Sequence, residues 1–192
     1  MVKDLREKTG AGMMDCKEAL TKSGGDLEKA IDHLRKKGMS AATKRSSKAA
    51  KDGAIASYIH MGGKIGVLVE LNCETDFVAK TDDFRLLAKE LSMHIAAANP
   101  RYLKSEDIPL DVLEREKEIY RSQALAEKKP EKIWDKIIEG KLKKYYEDVC
   151  LLDQKFIKDT AITVATLVSN MIAKTGENIV IRRFTRFQLG AD

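Results

Sequence analysis

The side chains in this sequence with the most chemistry to offer are three cysteines and three histidines, and their spacing disperses it. Cys16, Cys73 and Cys150 are odd in number and far apart, with no Cys-x-x-Cys pair to hold zinc or cycle as a dithiol. His33, His60 and His94 are scattered and make no His-Glu-x-x-His metal pair. A thiolate–imidazole nucleophile would need Cys16 or Cys73 to meet a distant histidine in space, and no spacing supports that. Gly62-Gly63-Lys64-Ile65 has neither the spacing nor the hydroxyl of a phosphate-binding loop. Gly10-Ala11-Gly12 follows a helical pattern rather than a strand, which is the wrong setting for a dinucleotide turn. The residues point to a binding protein rather than an enzyme, with no metal and no cofactor.

The stretch that stands out is Cys73-Glu74-Thr75-Asp76-Phe77-Val78. It sets a large aromatic beside a carboxylate, after the apolar run 65–72 and just before a helix start at Thr81-Asp82-Asp83. A phenylalanine there is either a plug closing the local core or a wedge offered to another protein. Asp76 is either a charged contact or a helix N-cap.

The elements that must position this stretch follow from period and punctuation. The chain has 192 residues, enough for one substantial domain and a small one. Residues 2–38 predict three short helices. Asp26 is the expected N-cap of the third, Leu27, Ala30, Ile31 and Leu34 its buried stripe, and Gly38 the position past its end. Met13 and Met14 are adjacent, so one helix face cannot bury both. Residues 39–53 predict a basic linker or a solvent-facing helix.

Residues 54–60 and 65–71 then alternate as two strands joined at Gly62-Gly63. A helix from Thr81 to about Ala98 carries Phe84, Leu87, Ala88, Leu91 and Ile95 on its apolar face, which leaves Phe77 outside that set. Residues 101–159 predict a second helical region, with a short helix from Glu131 stopped at Gly140 and helix continuing over Lys141 to Glu147. Thr163 to Gly176 predict a last helix, and Asn178 to Leu189 a final strand. The class is α+β, with a small three-helix N-terminal domain (1–38), a linker (39–53) and a core (54–192) built on a three-stranded antiparallel sheet.

The net charge of +5 is uneven. Residues 1–53 hold thirteen Lys/Arg against eight Asp/Glu, and the remaining 22 basic residues are balanced by 22 acids. From His33 to Lys51 there is no acid. Such a run can meet phosphates or an acidic protein surface, or it can be a solvated connector. No apolar stretch approaches a membrane span, and Met1-Val2-Lys3-Asp4 lacks the apolar core of a signal peptide. Free thiols suit a reducing, cytoplasmic setting.

Two long segments carry a resemblance. Residues 5–20, Leu5-Arg6-Glu7-Lys8-Thr9-Gly10-Ala11-Gly12-Met13-Met14-Asp15-Cys16-Lys17-Glu18-Ala19-Leu20, closely resemble the opening signature of the bacterial elongation factor Ts family. So does the segment from Val67 to Ala79 around Cys73-Glu74-Thr75-Asp76-Phe77-Val78. Met93-His94-Ile95-Ala96-Ala97, Ile138-Glu139-Gly140-Lys141-Leu142 and Gly176-Glu177-Asn178-Ile179 add matches in the family's order. Members usually begin a few residues earlier, so a short or trimmed N-terminus is expected.

The resemblance implies a ubiquitin-associated-like (UBA-like) head, a linker and an α+β core. It also implies exchange of guanine nucleotide on elongation factor Tu, the GTPase partner, with no catalytic residues in the exchange factor itself. It implies that Arg6, Met13 and Met14 dock on Tu, that Asp76 and Phe77 enter beside the helices that support its magnesium site, and that Thr75 and Val78 bind Tu with them. His60 and Gly176 are further contacts.

Long members carry the core unit twice, whereas this chain has one copy, so a homodimer giving a two-Tu, two-Ts assembly is expected. Some short members carry a cysteine near the C-terminal strand. Here Thr185 stands in Arg183-Phe184-Thr185-Arg186, so a covalent dimer through that strand is not expected. The rival is a nucleic-acid or ribosome-binding protein that uses Lys44, Arg45 and Lys48, with steep salt dependence. On the exchange-factor reading no direct nucleic-acid contact is expected.

Overall fold

The computed structural model describes residues 1–191. It divides into two compact units, one of residues 1–96 with the chain from Ala165 onward, the other Ala97–Val164.

The first unit begins with three helices, α1 (Val2–Thr9), α2 (Met13–Lys22) and α3 (Leu27–Arg45). Gly10 ends α1 at φ 67, a left-handed conformation that glycine adopts without a Cβ penalty, and its N–H reaches Arg6 O at 2.8 Å. Asp26 caps α3 by accepting the Lys29 N–H at 3.1 Å. Leu5, Cys16, Ala19, Leu20, Ala30 and Leu34 form one buried cluster among the three helices, with Val2, Ala11, Leu27 and Ile31 packed on it.

Gly38 is not the helix stop that its residue type suggested. Helix α3 continues to Arg45, so half of the expected linker is helical and only residues 46–51 form the connection. Gly38 is buried instead by close approach to α8 (Val164–Thr175). A Cβ there would lie 3.5 Å from Asn170 Oδ1 and 3.8 Å from Ala173 Cβ. Those are ordinary contact distances, so the glycine neither ends the helix nor is demanded by the approach of α8.

Strands β1 (Asp52–Ile59), β2 (Ile65–Cys73) and β5 (Val180–Gln188) make an antiparallel sheet of order β1-β2-β5. Along β2, Val67, Val69, Leu71 and Cys73 are buried while Leu68 on the other face is exposed, the period-two pattern of a one-sided sheet. Gly53 lies at φ +145 opposite Asn72, where a Cβ would overlap Leu71 O and lie 2.7 Å from Asn72 Cα. A one-turn helix α4 (Asp76–Ala79) and the long α5 (Asp82–Ala98) follow. Phe84, Leu87, Ala88, Leu91 and Ile95 of α5 are all buried, as their spacing predicts.

In the second unit, α6 (Leu110–Ala126) pairs with α7 (Trp134–Val149). Helix α7 runs through Gly140, because Ile138, Leu142 and Val149 keep its buried stripe going. Glu131–Ile133 is only a 3-10 turn, so the helix expected from Glu131 begins at Trp134. A two-stranded sheet pairs β3 (Lys155–Phe156) with β4 (Asp159–Thr163), where the sequence pattern gives no strand; the two residues of β3 are too short to show a period.

Candidate partner-binding surface

Strand β2 delivers the chain to the Thr75–Val78 turn. Cys73, at the strand's end, is fully buried and its thiol donates to Thr75 O at 3.1 Å. Thr75 is in extended backbone (φ −131, ψ 155) and caps α4, its Oγ1 accepting the Val78 N–H at 3.4 Å. Asp76 is therefore the first residue of α4 and not its cap. Its carboxylate pairs with Lys80 Nζ at 2.5 Å, and that hydrogen bond holds it below the usual carboxylate range and raises Lys80.

One helical turn splits four residues between core and solvent. Val78 and Ala79 point inward, and Phe77 is 76% exposed. Val78 is only 6% exposed and underlies the surface rather than forming it. Thr81 closes the turn by donating its hydroxyl to Val78 O at 2.7 Å, and it starts α5 by accepting the Phe84 N–H at 3.3 Å.

The turn is held from outside by a second segment more than a hundred residues away. Glu177 Oε2 accepts the N–H of Glu74 at 3.2 Å and of Thr75 at 3.1 Å, and Oε1 accepts the Thr75 hydroxyl at 2.6 Å. In return Glu74 Oε1 accepts the Asn178 N–H at 2.7 Å and lies 3.4 Å from Arg45. Asn178 Nδ2 donates to Lys48 O at 2.7 Å. Gly176, at φ 72, ends α8 with its N–H on Ile172 O at 2.9 Å and aims the chain into this arrangement.

Sequence reasoning did not assign Glu74, Glu177 or Asn178, and it gave Arg45 a role only in the rival nucleic-acid reading. Their pairing is non-local, and the only signal was that Glu74 and Glu177-Asn178 lie inside the two quoted motifs.

In the head, Met13 and Met14 are both exposed, at 60% and 73%, so the adjacent pair leaves two thioether side chains in solvent rather than one. Arg6 is exposed on α1. His60 sits at the β1–β2 hairpin tip, exposed, with Tyr58 OH 3.0 Å from its Nδ1. The candidates thus lie on separate elements, and only Thr75–Val78 form one continuous feature.

Cys73 and Cys150 are poor nucleophiles. Burial pushes Cys73 and Cys150 up to about 11, so both stay protonated at neutral pH. No group of three or more His, Cys, Asp or Glu side chains poised for a metal occurs among the described residues. Nor is any described helix long and apolar enough to cross a membrane.

Fold and surface together define an α+β chain that presents Phe77 to solvent from a capped turn and Met13 and Met14 from the start of α2. Comparison with known families gives the particular lineage. The model described as Elongation factor TS matches residues 2–191, and the chain belongs to the elongation factor Ts family. It is 77% identical to Elongation factor Ts of Syntrophus aciditrophicus (strain SB) over 192 residues, covering 100% of this chain and 96% of that protein. It is 60% identical over 189 residues to Elongation factor Ts of Caldanaerobacter subterraneus subsp. tengcongensis, covering 98% and 94%. With the Heliobacterium modesticaldum protein of the same name the identity is 56% over 190 residues, covering 99% and 88%.

Proposed function

We propose that this chain binds elongation factor Tu and promotes GDP release and GDP/GTP exchange by distorting the magnesium and phosphate site of Tu. It contributes no catalytic group and works in the cytoplasm. The observation that carries this reading is Phe77. A phenylalanine ring 76% in water, on a turn held by Thr75 at one end and Thr81 at the other, is a side chain held ready for burial elsewhere.

The energetics suit exchange. Guanine nucleotide is held largely by its phosphates and Mg²⁺. An exchange factor need only bind the distorted, nucleotide-free state better than the loaded one. The coupling is reciprocal, so GDP must weaken this chain's binding by the same factor. A ring driven between packed helices is an effective lever because packed cores switch between discrete arrangements. Its burial contributes about 1.5–3 kcal/mol, or one to two factors of ten. The head residues Arg6, Met13 and Met14 supply further contact on this reading, with His60 and Gly176 at the margin.

Two of the cations in the acid-free run are already engaged within the fold. Lys37 bridges Asp15 and Glu18 at 2.9 and 2.6 Å, and Arg45 faces Glu74. This weighs against the run as a phosphate-binding stripe. The decisive experiment is release of fluorescent GDP from elongation factor Tu. Catalytic amounts of the chain are expected to accelerate it, and an unchanged rate would end this reading.

The same proposal includes a homodimer. Its support is the outward face of the sheet, where Ile55, Ile59, Leu68 and Phe187 are exposed around the Arg183–Glu70 pair at 2.7 Å. An apolar sheet face of this kind is suited to stacking on a second copy of itself.

A further inference from the structure

We propose that Glu177 and Glu74 are positioning residues for Phe77: a reciprocal pair of carboxylate caps sets the direction in which the ring leaves the fold. The inference rests on the exchange reading above and adds to it the groups that make the wedge rigid.

A helix of four residues cannot hold itself. Forming one turn fixes several dihedral angles for a single hydrogen bond, so nucleation is unfavourable without outside support. Here α4 is one turn long and carries the exposed ring. Its capping residue, Thr75, donates two long-range hydrogen bonds to the Glu177 carboxylate, one from its N–H and one from its hydroxyl. A third bond, from Glu74 N–H to the same carboxylate, fixes the residue before.

Glu74 reverses the relationship by capping the Asn178 N–H, next to Glu177 in the chain. The two segments therefore lock each other, and neither can rotate without losing bonds on both sides. Two carboxylates so placed would repel, and the backbone N–H groups and Arg45 offset that charge. Arg45 closes α3, and Asn178 also reaches Lys48 O, so the clasp extends to the end of the head's longest helix.

A clasp that served only stability would have an effect independent of the ring. One that aims the ring acts only through it. The test is a double-mutant cycle in stimulated release of fluorescent GDP from elongation factor Tu at saturating factor, with wild type, Glu177→Ala, Phe77→Ala and the double variant.

Glu177→Ala is expected to lower the maximal stimulated rate about tenfold, the scale of a small misplacement of a working group. The double variant is expected to be no slower than Phe77→Ala alone. Glu177→Gln, which keeps an acceptor oxygen, is expected to recover most of the rate. A wild-type maximal rate in Glu177→Ala, or a loss that adds in full to that of Phe77→Ala, overturns the proposal.

If Glu177→Ala does not fold, Thr75→Val, which removes the hydroxyl bonded to Glu177, takes its place with the same two outcomes. Failure of wild type to stimulate release overturns the exchange reading itself. Stimulation by wild type with additive variants overturns the clasp alone.

Discussion

Glu74 and Glu177 bind each other's strand of chain, the Glu177 carboxylate accepting the Glu74 N–H at 3.2 Å while Glu74 accepts the N–H of Asn178 at 2.7 Å. This exchange of caps turns a sequence junction into a fixed corner, and the exposed ring of Phe77 stands on that corner.

Phe77→Ala should separate contact from folding. Removing a ring that is already in water costs little folding free energy, so thermal unfolding should be nearly unchanged. Stimulated GDP release from elongation factor Tu should fall about ten- to hundredfold, matching the loss of about 1.5–3 kcal/mol of ring burial in the complex. A large drop in the unfolding midpoint would instead identify the ring as a core plug.

Met13→Ala and Met14→Ala test the head in the same way. Both side chains are exposed, so neither variant should lower the midpoint of unfolding appreciably. Each is expected to weaken binding to nucleotide-free Tu about tenfold, the range of an interface anchor, as read by titration calorimetry. Wild-type affinity in both would remove the head from the contact.

Gly53→Ala should be strongly destabilising despite its mildness on paper. The new methyl would overlap Leu71 O across the β1–β2 ladder, and the φ of +145 is one that L side chains rarely adopt. A loss of more than about 2 kcal/mol in urea unfolding is expected. A loss below half of that would mean the hairpin can shift its register.

The dimer reading makes Leu68→Asp informative. The side chain is exposed in the single chain, so a carboxylate there should leave the protomer folded by circular dichroism. Buried against a second copy it would be a charge without a partner. Sedimentation is expected to show a dimer for wild type and a monomer for the variant at micromolar concentration. A monomeric wild type would refute the dimer.

The thiols give a pH dependence with a definite sign. Burial raises Cys73 and Cys150 from an ordinary value of about 9 to about 11 in the folded chain. Between those values the unfolded chain has lost thiol protons that the folded chain keeps, so stability falls as pH rises through that window. It is unaffected by these groups below about 9. Cys73→Ala is expected to flatten part of the decline in denaturant midpoints measured from pH 8 to 11. An equally steep decline would assign it to other groups.

Much of this architecture was legible one element at a time. The 3.6-residue stripe of α5 and the alternation of β2 placed their buried residues correctly, because each pattern is set by neighbours within one element. The errors came where a residue's role depended on something distant. Gly38 reads as a stop by type, yet α8 approaches it and the helix continues. Gly140 reads the same way, yet the stripe of α7 carries on past it. Thr75, rather than Asp76, caps α4, a choice between adjacent residues that local pattern leaves open.

The sequence by itself determined the α+β class, the order of the three main strands and the principal helices, the family resemblance and the contact residues worth testing. Those depend on local periodicity and on collinear motifs. Only the tertiary structure decided that Phe77 is in solvent, that both methionines are exposed, and that Glu74 and Glu177 clasp across 103 positions. Exposure and hydrogen bonding at such separation are properties of packing. No window of sequence contains both partners, so the physical cause of the wedge's rigidity becomes visible only when the chain is folded.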